Sequence, residues 1–164
     1  MRKERIIILV HGGAGSKRAG KSQLKKLKEA IEAGYSILDH AGTSLDAVET
    51  AIRLLEDSGQ FNAGPGSRLQ LDGRCRMDAS IMEGRDLKAG AVAGIENVKN
   101  PIRVARLVME RTPHVLMAGE GAGKLAQHFR IQKAFSPSRA SLKILKEILG
   151  KNEYRSALPL DVRL

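Results

Sequence analysis

Tryptophan is absent from this chain of 164 residues, which holds only two tyrosines, three phenylalanines and one cysteine. So few rings leave little for unpaired bases to stack on, which argues against a nucleic-acid role. The net charge of +10 suits an anionic partner but equally a solvated basic surface. The lone Cys75 excludes an internal disulfide and a multi-cysteine zinc cage, and points to a reducing cytosol. No apolar run approaches the roughly 20 residues that span a bilayer, so no membrane role is expected. The apolar part of the start MRKERIIILV is too short for a signal peptide. Internal repeats and low-complexity segments are also missing. What remains is a chain with an ordinary 42% of apolar residues, enough for one domain with a sizeable core.

Ile6 to Val10 is a continuous apolar run rich in β-branched residues and predicts a central strand covered on both faces. After a glycine loop, Leu24, Leu27, Ile31, Tyr35 and Leu38 recur at helical spacing, with Gly42 as a stop. Thr43 caps a second helix, with Asp46 as its partner and Leu45, Val48, Ile52 and Leu55 as its stripe, and Gly59 ends it. LEDSGQFNAGPG then reads as a non-repetitive loop. Beyond it the period falls to two. Leu69 and Leu71 alternate with polar neighbours, Asp72-Gly73 is a hairpin turn, and Cys75, Met77, Ala79 and Ile81 alternate on the return strand. Lys88 to Ile95 predicts a strand of small residues, Asn100-Pro101 a cap and first turn for a helix to about Arg111, and Pro113 its end. His114 to Ala118 predicts a short strand, GEGAGKLAQHF a helix, and Leu142, Ile144, Leu145 and Ile148 a last helix before an exposed tail. Residues 1–130 form the main body and 131–164 a helix and flexible tail. The order predicts an α+β fold, antiparallel sheet with helical layers, and not a doubly wound parallel sheet.

Gly15 to Ser22 matches the phosphate-loop pattern G-x-x-x-x-G-K-[ST]. A working phosphate loop receives its first glycine directly from a strand, whereas His11, Gly12, Gly13 and Ala14 separate Val10 from Gly15. It also needs an acidic residue at another strand's end for magnesium, and neither Asp39, in a predicted helix, nor Asp72, in a turn, fits. The bland alternative is that the lysine-rich segment opens a solvated helix and the pattern is coincidental. No nucleophilic centre assembles either: His11, His40, His114 and His128 are scattered, and Cys75 falls on the inward face of a predicted strand as a small buried thiol.

HGGAG, FNAGPGSRLQLDG, MDASIMEG, LKAGAVAGI, KNPIRVARLVMERTPHV and GEGA, in this order and spacing, resemble the N-terminal half of the plant-type L-asparaginase or isoaspartyl aminopeptidase family, over about residues 6–126. The resemblance implies the αββα sandwich of the N-terminal nucleophile hydrolases and a precursor that cuts itself into α and β chains. It also implies a threonine as first residue of β, its hydroxyl the nucleophile and its free α-amine the base. On this reading the chain is the α subunit, its partner the β subunit in an (αβ)2 heterotetramer, and the substrate a small-molecule amide: asparagine or a β-aspartyl peptide. The ligands that choose among these belong to the β part. No catalytic cofactor is implied.

The same resemblance assigns supporting residues. Gly12 and Gly13 match the glycine loop beside the active centre, where backbone must come close without a Cβ, although they could simply turn a tight corner. Asn62 matches an asparagine that helps hold the nucleophile, or it serves only the loop through an Asx-type turn. The main-chain carbonyls of Leu55, Glu56, Ser58, Phe61, Ala63 and Pro65 match a structural Na+ site, a fitting donor set for a hard cation, though the loop could equally leave them in water. Asp78 and Ser80 could line the sandwich, pair with each other or face solvent. The tail SALPLDVRL departs from the family's usual small residue before the cut. An α half by itself is expected to expose the sheet face meant for its partner and to associate or dissolve poorly. The rival functions are a phosphate-loop nucleotide binder using Lys21 and Ser22, and a basic nucleic-acid module.

Overall fold

A computed structural model describes residues 6–15, 18–133, 137 and 139–150. The first long helix, α1 (Lys21–Asp39), ends where Ala41 adopts a left-handed φ of 60° and the Gly42 amide donates back to the Ile37 carbonyl. Gly42 is thus the expected stop, but the residue before it makes the left-handed turn. Helix α2 (Ser44–Asp57) starts as its sequence predicts: the Thr43 hydroxyl accepts from the Asp46 amide at 3.1 Å and donates to the Asp46 carboxylate at 2.6 Å. Gly59, at φ 64°, turns the chain out of α2. The two helices pack where Gly34 lies over the Ala47 backbone, leaving no room for a side chain.

The sheet has three strands in the order β1 (Met77–Met82), β2 (Ala89–Ile95) and β3 (Leu116–Ala118). β1 and β2 run antiparallel and β2 and β3 parallel, so the sheet is mixed. The parallel pair arises because helix α3 (Pro101–Arg111) crosses over between β2 and β3. Small residues in β2 let that helix sit close: a Cβ on Gly90 would lie 2.7 Å from the Met109 Cβ and against the Ala105 carbonyl. Ile102, Val104, Ala105 and Val108 of α3 are completely buried against Met77, Ile81, Val92 and Ile95. Each such aliphatic side chain stabilises the fold by about 1.5–3 kcal/mol. Ala122 and Ala126 of α4 (Gly119–His128) complete this core. A smaller core joins Ala30, Ala51, Leu55 and Phe61, with Ile8, Val10 and Leu27 beside it. Arg106 ties α3 to α2 through Asp46 at 2.7 Å and Glu49 at 2.8 Å. The last helix, α5 (Arg139–Leu149), is tied to the loop before β1 by the Ser141 hydroxyl, which donates to the Ser67 carbonyl at 3.0 Å.

Helices cover one face of the sheet. Pairing of Ser80 with Ala91, Met82 with Ala89 and Ala91 with Leu116 puts these residues on the other face, where Met82 is 61% and Leu116 58% exposed.

Three sequence expectations are corrected here. Residues 6–10 pair with no strand among the described residues; Ile8 and Val10 pack on α1 and α2, but Ile7 is 66% and Leu9 90% exposed, so the run is covered on one side only. A β-branched run gives extended backbone, and becomes a central strand only when neighbours pair with it. The hairpin around Asp72-Gly73 is a turn, with Gln70 and Arg74 hydrogen-bonded at 2.9 Å, but its arms are not strands: the ladder begins at Met77. Cys75 is therefore outside the strand, partly buried against the larger core, and burial pushes its thiol pKa up. Leu24, Ile31 and Tyr35 of α1, placed on its apolar stripe, are exposed, as is Val48 of α2. The expected tail falls outside the described residues, apart from Gly150 after α5.

Candidate functional site

The glycine loop and the loop after α2 are brought together by one ring. Phe61 is buried in the smaller core, and a Cβ on Gly12 would come within 2.8 Å of its Cε1 and 3.2 Å of Leu27 Cδ2. Gly12 is therefore required for close packing within this chain. Gly13 differs: it is exposed, adopts φ 99°, donates from its amide to His11 Nδ1 at 3.1 Å, and has open space where a Cβ would be. Of the two glycines, Gly12 is packed and Gly13 has no described atom within 4 Å of where a Cβ would be.

Asn62 follows Phe61 and is exposed. Its Oδ1 accepts from the Arg68 amide at 2.9 Å, which closes the loop across six residues, a longer span than the two residues of an Asx-type turn. The Nδ2 donor has no partner among the described residues. Chemically, one end of the amide is fixed to the loop and the other can donate to an incoming oxygen.

The same loop winds its backbone tightly. Leu55 O accepts from the Ser58 hydroxyl at 2.7 Å, Glu56 O from the Gly59 amide at 3.4 Å, and Ala63 O from the Gly66 amide at 3.1 Å. Gly64, at φ 53°, passes so close that a Cβ there would lie 2.8 Å from Glu56 O, and a Cβ on Gly66 would strike Phe61 O and lie 2.7 Å from Gly59 O. The Glu56 carbonyl thus lies against Gly64, and those of Gly59 and Phe61 against Gly66, at two places where any side chain would collide with them. Each carbonyl has two lone pairs, so those already hydrogen-bonded keep an acceptor site. Carbonyl oxygens are the donor type that a hard cation takes, while no group of three His, Cys, Asp or Glu side chains among the described residues could hold a metal.

Sequence reasoning missed the Glu56 side chain. It is 3% exposed, yet its Oε1 accepts from the Ile102 amide at 3.3 Å and its Oε2 from Asn100 Nδ2 at 3.0 Å. Asn100, expected to cap α3 with its own side chain, makes no such cap; its Nδ2 donates instead to Glu56 and to Asp57 Oδ1 at 3.0 Å. A carboxylate from α2 caps α3. Desolvation pushes the Glu56 carboxyl up to about 7, against the pull of Asn100 and the Ile102 amide. The only signal in the sequence was an acidic residue flanked by apolar ones near the end of an amphipathic helix, a weak one.

Asp78 and Ser80 both project from the uncovered face, Asp78 Oδ1 accepting from the Gly94 amide at 2.7 Å. At the start of α1, the Gly20 amide donates to Gln23 Oε1 at 3.0 Å, and Gln23 Nε2 to the Gln60 carbonyl at 3.3 Å. One of the amides that a phosphate loop would offer to its ligand, that of Gly20, is thus engaged within the chain, and among the described residues no paired strand delivers Gly15. A groove of about 960 Å3 opens beside α4, bordered by Arg74, Arg76, Lys124, Arg130 and Lys133 together with Glu96 and Glu120, and includes none of Gly12, Gly13 or Asn62. No described helix is long and apolar enough to cross a membrane.

A family model described as Asparaginase matches residues 4–158. The chain is 50% identical to a plant-type L-asparaginase of Pyrococcus abyssi over 157 residues, 92% of this chain and 51% of that protein. Against a plant-type L-asparaginase of Pyrococcus horikoshii it is 54% identical over 125 residues, covering 74% and 41% of the two. Against an isoaspartyl peptidase/L-asparaginase of Rattus norvegicus it is 40% identical over 161 residues, covering 94% and 48%. The chain spans about half the length of the curated relatives it matches.

Proposed function

This chain belongs to the asparaginase family, and we propose that within it the chain is the α portion of an asparaginase or β-aspartyl peptidase, the threonine nucleophile being carried by a β portion. The observation that carries the reading is a family match over nearly the whole chain that accounts for only half of each relative. The uncovered sheet face, with Met82 and Leu116 outward and small alanines between, supports it: such a face suits a second sheet, giving an αββα sandwich. The extended run 6–10, apolar on both sides and covered on one, likewise leaves Ile7 and Leu9 for a partner to cover.

In this assembly the chain positions rather than reacts. Gly13 gives backbone access, Asn62 offers its Nδ2 to the threonine hydroxyl or to substrate oxygen, and Gly12 with Phe61 fixes the two loops against each other. Leu55, Glu56, Ser58, Phe61, Ala63 and Pro65 would hold Na+ through their carbonyls, the ion stiffening the loop that carries Asn62. The threonine attacks the side-chain amide carbonyl of asparagine or a β-aspartyl peptide, its own α-amine taking the hydroxyl proton; ammonia or an amine leaves, and water frees the acyl group. An (αβ)2 assembly in a reducing cytosol completes the proposal.

Expression of a reading frame continuing into the threonine-bearing portion tests it. The expected product is two fragments, the second beginning with threonine, that release ammonia from L-asparagine or cleave a β-aspartyl dipeptide. An uncleaved product inert on both overturns the reading.

A further inference from the structure

We propose that Glu56 is a positioning residue, whose buried carboxylate pins the loop of residues 58–66, and with it Asn62, to the first turn of α3. The inference rests on the asparaginase reading for its catalytic consequence, but its structural part stands on geometry alone. Glu56 is the last but one residue of α2, so its backbone begins the loop while its side chain points to another element. Both carboxylate oxygens are used, by Ile102 N at 3.3 Å and Asn100 Nδ2 at 3.0 Å, and both Glu56 and Asn100 are buried, at 3% and 4% exposure. Asp57 extends the tie, accepting from the same Asn100 Nδ2 and pairing with Lys99 at 3.2 Å.

The loop's return leg then closes on the backbone of the same residue. Gly64 packs on Glu56 O with no space for a Cβ, Gly66 packs on Phe61 and Gly59, and the Arg68 amide reaches back to Asn62 Oδ1. Within the loop, the turns that hold Asn62 join loop residues to one another, so they fix its shape but not its place. Its place is set at three points: Phe61 in the smaller core, the Gln60 carbonyl held by Gln23 of α1, and Glu56 on α3. Without the carboxylate, the α3 amide at Ile102 and the Asn100 amide lose a buried acceptor, and the end of α2 is free to shift relative to the sheet.

The test uses the assembled protein with its threonine-bearing portion, comparing Glu56→Ala and Glu56→Gln with Val108→Ala, a core control that lowers stability without touching the loop. Gln keeps an acceptor for the Ile102 amide but can set a donor against Asn100, so its effect should be the smaller. Amide exchange should quicken about tenfold or more at Gly66, Ser67 and Arg68 in Glu56→Ala, and kcat on L-asparagine should fall about tenfold with KM little changed. Val108→Ala should leave both near wild type. If loop exchange in the two Glu56 variants is no faster than in the control, the proposal is overturned. Faster exchange in the Glu56 variants, in an assembly whose wild type proves inert on asparagine, would retain the pinning role and reject the enzyme reading.

Discussion

The unit of α3, α4 and the sheet and the unit of α1, α2 and the glycine loop are built from the same stock of aliphatic residues, yet they finish differently. In the first, Ile102, Val104 and Val108 meet the strands with nothing left exposed on that side. In the second, the core is small, and Ile7, Leu9, Leu24 and Tyr35 remain outside it. A helix crossing between neighbouring strands closes its own contacts, because the crossover places it on the sheet it connects. Residues 6–10 have no such neighbour among the described residues, so Ile7 and Leu9 are left exposed. Glu56 is the buried joint between the two units, beside the more exposed pairs of Arg106 with Asp46 and Glu49, which is why a single carboxylate there matters to both.

That contrast can be broken most sharply by Ile102→Ala, which should cost about 3 kcal/mol or more in urea unfolding, as a large-to-small change at a completely buried site does. A loss below about 1 kcal/mol would show that the α3 core is looser than its burial implies. Next comes the joint itself. The Glu56 carboxyl, raised from its ordinary 4.5 to about 7 by desolvation, with Asp57 adding to the rise and Arg53 opposing it, holds its proton more tightly when folded. Its contribution is therefore full below about pH 4.5 and is lost as pH rises to about 7. Stability should fall by roughly 3 kcal/mol from this group across that window, and Glu56→Gln should flatten the fall; an unchanged pH profile in that variant would remove the effect.

Within the α1–α2 unit, Thr43→Ala should lower stability by about 1 kcal/mol, the worth of a helix N-cap, read as a shift of the urea midpoint. Leu9→Ala, at a 90% exposed site, should change it by no more than about 0.5 kcal/mol in this chain alone. In the assembled protein the same substitution should cost several times more if a second layer covers Leu9. Equal small effects in both would leave residues 6–10 uncovered and sever the glycine-loop unit from the proposed interface.

Much of this was legible because it is local. The Thr43–Asp46 cap, the strand of small residues ending at Ile95, the Pro101 start and Pro113 stop around α3, and the helix after Ala118 all appear where capping chemistry and periodicity placed them. At the site, the glycine and asparagine positions could be named from the motifs, but not their contacts: Gly12 proved to be packed under Phe61, and Asn62 to be bonded to Arg68. The failures share a cause. A strand at 6–10 and arms around Asp72-Gly73 were inferred from residue type, whereas a strand exists only where another backbone pairs with it.

The sequence by itself determined which segments are helical, where they stop, and to which family the chain belongs, since these rest on spacing and residue identity along the chain. Only the tertiary structure decided which face of the sheet is covered, that Glu56 caps a helix 46 residues away, and which apolar residues are left without a neighbour. Burial and pairing are relations between segments distant in sequence, and no local pattern fixes the partner.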